Sequence, residues 1–178
     1  MAEEQENHTF SEKYIYMFMD AEGRGLPVDA SSVELTDMQM RHNAFEVEMT
    51  DAATEMLGIT LPISDPGIVG IVEDTLKRIR SGESFKCKTT FPAAAIGVLW
   101  AWHIVGKLNW QWRAVKKDWW ETIAIADSEN KYVILPVQYM RRISDSSVEI
   151  SKWPQDIIDD IVASRLPSST PSRLLRLY

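Results

Sequence analysis

The fold class this sequence predicts is α+β: amino-terminal helices packed on a three- to four-stranded antiparallel meander, with a carboxy-terminal helix. Three observations carry that expectation. Apolar residues recur at three- and four-residue steps as far as Gly106, the spacing then shifts to alternation, and a helical stripe returns after Pro154. Helices and strands segregated in this way give an α+β domain rather than a parallel α/β sheet. The 178 residues, 45% hydrophobic and 25% charged, suit one domain spanning 1–178, with 1–9 and 167–178 expected as flexible tails. Such a composition excludes a wholly disordered or collagen-like chain, and a core of this size needs no metal or disulfide.

Residues 1–9 are polar and acidic, with no apolar face to bury. Tyr14, Tyr16 and Phe18 alternate with Ile15, Met17 and Met19, a run compatible with a strand or a short helix, before the loop AEGRGLPVDASS. Ser31, with Glu34 three residues on, forms a capping box. Leu35, Met38, His42, Phe45, Met49, Ala52 and Met56 then mark one apolar face of a six-turn helix ended by Gly58. Asp65 and Pro66 start a second helix whose stripe is Ile68, Val72, Leu76 and Ile79. In its last turn Lys77, Arg78 and Arg80 oppose the negative end of the dipole ahead of Gly82. Thr90 and Pro92 open a third, FPAAAIGVLWAWHIVG, apolar nearly all round and therefore expected at the centre. Ala94, Gly97 and Ala101 give it one side on which a neighbour can pack closely. At about 16 residues between polar flanks, it is short for a bilayer span.

Beyond Gly106, Trp110, Trp112 and Ala114 alternate with Gln111, Arg113 and Val115, and Ile123 and Ile125 share a face of the next run, WWETIAIA. After the polar DSENK comes YVILPV, with Pro136 ending or edging that third strand; MRRISDSSVEI is the candidate fourth. Trp153 and Pro154 introduce the last helix, bearing Ile157, Ile158, Ile161 and Val162. PSSTPSRLLRLY then passes from linker to a short basic, apolar segment.

The net charge of −7 conceals a polarity: residues 1–75 carry −13 and residues 76–178 carry +6. An acidic face of that strength repels nucleic-acid phosphate and steers basic proteins towards it in a salt-dependent way. Equally, the two halves can complement each other within one fold, or between the copies of a homodimer. Cys87, the single cysteine, has no partner within the chain, and no opening segment joins a basic start to an apolar run and a cleavage site. The expected location is cytoplasmic, away from membranes.

GVLWAWHIVG, the tryptophan strand LNWQWRAV, the alanine-rich strand ETIAIAD and the proline-closed YVILPVQYMRRI together resemble, over about Gly97 to Arg142, a family of bacterial proteins catalogued only as a domain of unknown function. That family carries an acidic residue beside its first strand tryptophan, where this chain has Asn109 and Gln111 around Trp110. The resemblance implies an α+β fold and a bacterial origin. It implies no catalytic role, because the family has none to carry over.

No G-x-S-x-G, P-loop, dinucleotide or C-x-x-C pattern is present, so no cofactor is expected. His42 and Glu46 lie four apart on one helix, as a metal or acid–base pair would. A zinc site needs a further ligand, however, and the other histidines are His8, near the terminus, and His103, in the apolar helix. The plainer role for His42 is to fill the stripe beside Met38, Phe45 and Met49. His103 reads as a core histidine whose charge is suppressed by burial. Cys87 lies between Lys86 and Lys88, which favour a thiolate, but no motif couples it to a base. Asp156, Asp159 and Asp160 sit on the last helix, where the dipole and solvent explain them without a cation.

Among the seven tryptophans, Trp110, Trp112, Trp119 and Trp120 crowd the strands. Trp119 and Trp120 face opposite ways if both are in the strand, so one of them reaches the surface, where tryptophan serves as a binding hot spot. Their interleaving with Arg113, Lys116, Lys117, Arg141 and Arg142 resembles a single-strand nucleic-acid platform. The overall acidity, and the lack of an aromatic RNA-recognition strand or zinc finger, argue against nucleic acid.

The expected function is thus non-enzymatic: an acidic binding protein, and within that class a bacterial immunity protein that neutralises a cognate toxin by direct contact with a basic protein. The expected contacts are Glu34, Asp37, Glu46, Glu48, Asp51 and Glu55 along the exposed flank of the long helix, with Trp119 and Trp120. The alternatives are an enzyme using His42 with Glu46, or Cys87, and a secretion or assembly chaperone whose SRLLRLY tail docks into a partner.

Overall fold

A computed structural model describes residues 27–29, 34–60, 67–89, 91–117, 120–166 and 173–176, with the backbone alone at 27–29, 117, 120 and 173–176. The Phe10–Met19 run, Ser31, Asp65, Pro66, Thr90 and Trp119 lie outside the described residues. The alternation after Gly106 builds the meander it predicts. Strands β3 (Gln111–Lys117) and β4 (Trp120–Ala126) pair antiparallel from Gln111↔Ala126 to Lys117↔Trp120, and β5 (Tyr132–Ile134) continues antiparallel beside β4. Asp127 closes the second turn: its Oδ1 accepts the N–H groups of Lys131 and Tyr132, each at 2.7 Å.

Three short strands flank the meander: β1 (Pro27–Asp29), β2 (Glu34–Thr36) and β6 (Arg173–Arg176), giving the order β1-β6-β5-β4-β3-β2. β6 runs parallel to β5 and antiparallel to β1, while β2 is antiparallel to β3. Consecutive strands β1 and β2 therefore occupy opposite edges of the sheet. The five Cα steps from Asp29 to Glu34 reach at most about 19 Å, whereas five strand spacings on a flat sheet would separate the edges by about 24 Å. The sheet is accordingly curled. β4 is buried on both sides, since Ile123, Ala124, Ile125 and Ala126 are all inaccessible.

The helices are α1 (Met40–Leu57), α2 (Ile68–Arg80), α3 (Pro92–Leu108), α4 (Pro136–Ser144) and α5 (Pro154–Val162). Together with the meander they make an α+β fold with helices packed on the sheet. α3 is central, as its composition predicts: every residue from Ala93 to Ala101 is buried, and its Ile96, Leu99, Trp100 and Ile104 join Val72 and Leu76 of α2, Met140 of α4 and Ile157 of α5 in one core. Gly97 explains the close approach. A Cβ there would come within 2.6 Å of the Pro136 carbonyl oxygen, so the α3–α4 crossing requires glycine.

Several expectations change. Glu34 lies in β2 rather than at a helix start, because Glu34–Thr36 pairs with Ala114–Lys116 and sheet pairing overrides the local capping signal. α1 begins at Met40, where His42 Nδ1 accepts the Gln39 N–H at 3.0 Å, and it ends as expected at Gly58, in the left-handed region at φ 65°. Pro136 is the first residue of α4, and MRRIS completes that helix instead of a fourth meander strand. Arg173–Arg176, expected within a tail, pairs as β6.

Candidate functional site

α1 decides which acidic side chains face outward. Its buried residues are His42, Glu46, Met49, Thr50, Ala52 and Ala53, at steps of four, three, one, two and one, which turns Phe45 to the edge and Val47, Glu48, Asp51 and Glu55 to solvent. The expected contact set therefore divides. Glu34 is exposed but sits opposite Lys116 in register, Asp37 pairs with Arg113, and Glu55 pairs with Lys88. Glu48 and Asp51 are exposed with no ion-pair partner among the described residues. Of Trp120 only the strand backbone is described, and Trp119 lies outside the described residues.

Glu46 corrects the expectation of an exposed contact. It is 8% exposed and points towards α3, because the helical phase that buries His42 and Met49 buries position 46 between them. Thr50 Oγ1 lies 2.9 Å from Glu46 Oε1, and the same oxygen accepts the indole N–H of Trp102. No cationic side chain pairs with this carboxylate among the described residues. Trp102 is 41% exposed, and its ring stands edge-on to Trp112 with centroids 5.7 Å apart at 70°. Within α3 only the stretch after Ala101 acquires polar neighbours (His103, Lys107), and that was the available signal that Trp102 leaves the core.

His42 and Glu46 do not bond each other. His42, 6% exposed, accepts the Gln39 N–H through Nδ1, which leaves the ring proton on Nε2, 3.1 Å from Glu121 Oε1 of β4. Glu121 also takes the Arg41 guanidinium. Burial raises the pKa of Glu121, but the hydrogen bond and charge of Arg41, with the adjacent His42 ring, outweigh it and hold the carboxyl below the usual range. The group therefore fastens the start of α1 to the sheet.

The remaining candidates are dispersed. His103 is half-buried, and burial first, then Lys107, holds its pKa below the ordinary value. Cys87 is half-exposed with Sγ 3.4 Å from Thr89 Oγ1, and Lys88 beside it is turned to Glu55. Asp156 accepts the Trp153 N–H at 2.9 Å, Asp159 receives Gln155, and Asp160 is buried between Lys152 and Arg165, so the three carboxylates share no partner. Among the described residues no group of three or more His, Cys, Asp or Glu side chains is placed to hold a metal ion, and no helix is long and apolar enough to cross a membrane. No protein-family model, curated protein or solved structure matches the chain.

Proposed function

We propose that this chain is a protein-binding module that captures a basic protein through the outer face of α1, and within that class a bacterial immunity protein that neutralises a toxin by direct contact. The observation that carries the reading is the pair Glu48 and Asp51. Both are exposed one turn apart, next to Val47 at 54% exposure, and form no ion pair among the described residues, whereas Asp37 and Glu55 are matched by Arg113 and Lys88. The fold thus answers part of the charge polarity from within and leaves an acidic ridge with apolar shoulders. Such a surface steers a cationic partner and gives it apolar area to bury.

The test uses the purified chain as bait, beside a Glu48→Lys/Asp51→Lys variant, with bound proteins identified by mass spectrometry. One stoichiometric basic protein held by the unsubstituted chain and lost by the variant is expected. That protein should arrest growth when expressed alone and not when co-expressed with this chain. Equal retention by both baits removes this face from the interaction; a partner without growth effect removes the immunity reading and leaves the binding one.

A further inference from the structure

The seam between α1 and α3 holds a buried carboxyl group with no cationic partner among the described residues. Glu46 is more than nine-tenths buried; its Oε1 accepts the Trp102 indole N–H and lies 2.9 Å from Thr50 Oγ1, a hydroxyl also 2.8 Å from the Glu46 backbone carbonyl. Buried carboxylates in folded proteins are ordinarily paired with a cation. Trp102, which covers this one, is nevertheless 41% exposed as a residue, and the residues on either side of Glu46, Phe45 and Val47, are exposed. A hydrogen bond from the indole N–H to a carboxylate also pushes electron density into the ring, which strengthens its attraction for a cation lying on its face.

We infer that Trp102 and Glu46 form a subsite for a guanidinium group of the basic partner, stacked on the indole face with the Glu46 carboxyl at the N–H edge of the same ring. This deepens the proposed function and rests on it. The occupant follows from the chemistry present: a planar cation matches the face of Trp102, whose orientation is already fixed by Glu46 and by the edge contact with Trp112. A ring held in this way loses little freedom on binding, which is the usual character of a tryptophan hot spot. The acids Glu48 and Asp51, on the same helix, supply the surrounding field.

The test titrates the full chain, labelled with 15N, with an acetylated, amidated hexa-arginine peptide, using hexa-lysine and an uncharged glycine–serine peptide as controls. The indole N–H signal of Trp102 is assigned by its loss in Trp102→Phe. A saturable shift of that signal by hexa-arginine, smaller with hexa-lysine and absent with the neutral peptide, is expected. Trp102→Leu should weaken hexa-arginine binding by about tenfold, the size of a moderate hot spot. Hexa-arginine binding that is weakened by Glu48→Lys/Asp51→Lys but leaves the Trp102 signal unmoved would overturn the subsite while sparing the acidic-face reading. No saturable binding of hexa-arginine overturns both. The signal is read on the unsubstituted protein, so a poorly folded Trp102→Leu variant does not remove the test.

Discussion

One guanidinium, that of Arg80 at the end of α2, donates to three backbone carbonyls in the last turn of α4 and just beyond it: Ile143 at 2.6 Å, Asp145 at 2.6 Å and Val148 at 2.9 Å. Only a forked donor reaches three diverging acceptors. Arg80→Ala should lower unfolding free energy by about 2–3 kcal/mol, and Arg80→Lys should recover less than half of that loss, as read by chemical denaturation. Full stability in Arg80→Ala would mean that the turn after α4 needs no such tie. Gly97 makes a comparable point through absence of a side chain. Gly97→Ala adds a Cβ 2.6 Å from the Pro136 carbonyl oxygen, and the about 1 kcal/mol gained in helix propensity should be outweighed by an overpacking cost of about 1–3 kcal/mol, visible as a lowered Tm. The paired carboxyls give a pH signature. Burial raises the pKa of Asp160, yet Lys152 and Arg165 hold it below the ordinary value, in the same direction as Glu121. A carboxyl whose folded pKa lies below its unfolded one contributes stability that is full above the unfolded value and lost as pH falls through the folded value. The Tm should therefore fall as pH drops below about 4.5, with a shallower fall in Glu121→Gln.

At the scale of elements, the termini of helices and the edges of the sheet are where local signals and tertiary pairing part. α2 and α5 were legible because their stripes keep helical spacing, as Ile68, Val72 and Leu76 illustrate, and α3 because it is apolar nearly all round. The meander was legible from its alternation. β2 was not, because a three-residue strand carries no period of its own and Ser31–Glu34 imitates a helix cap; its place is set by β3, distant in sequence. α4 was hidden by the apolar run YVILP leading into it, although Pro136, Val137, Tyr139, Met140 and Ile143 keep helical spacing. The phase of α1 mattered most for the site. Taking Phe45 into its stripe placed Glu46 outward, whereas the structure leaves Phe45 at the edge and turns Glu46 inward. Nothing in the sequence alone links Trp102 to Glu46, since that bond depends on how α1 and α3 cross. β6 yields a further expectation. Because Arg173–Arg176 pairs with both β1 and β5, deleting residues 168–178 should lower the Tm as well as remove any tail contact. An unchanged Tm would return the segment to the role of a free tail.

For the molecule as a whole, charge is arranged on two levels. Within the fold, acids of the first half meet bases of the second, as in Asp37–Arg113 and Glu55–Lys88, and one pair runs the other way, Arg41–Glu121. Exposed pairs of this kind add little stability, so they act chiefly to set which acids stay available. Glu48 and Asp51 stay exposed on the outer face of α1, with no ion pair among the described residues. The most direct measurement is the dissociation constant of the captured basic protein for the unsubstituted chain and for Glu48→Lys/Asp51→Lys, at low salt and at about 0.15 M, where exposed charges are screened beyond about 8 Å. Affinity for the unsubstituted chain should fall as salt rises, and the double reversal should cost at least about tenfold at low salt, with a flatter salt dependence. Equal affinities and equal salt slopes for the two proteins would contradict the claim that the outer face of α1 is the binding surface.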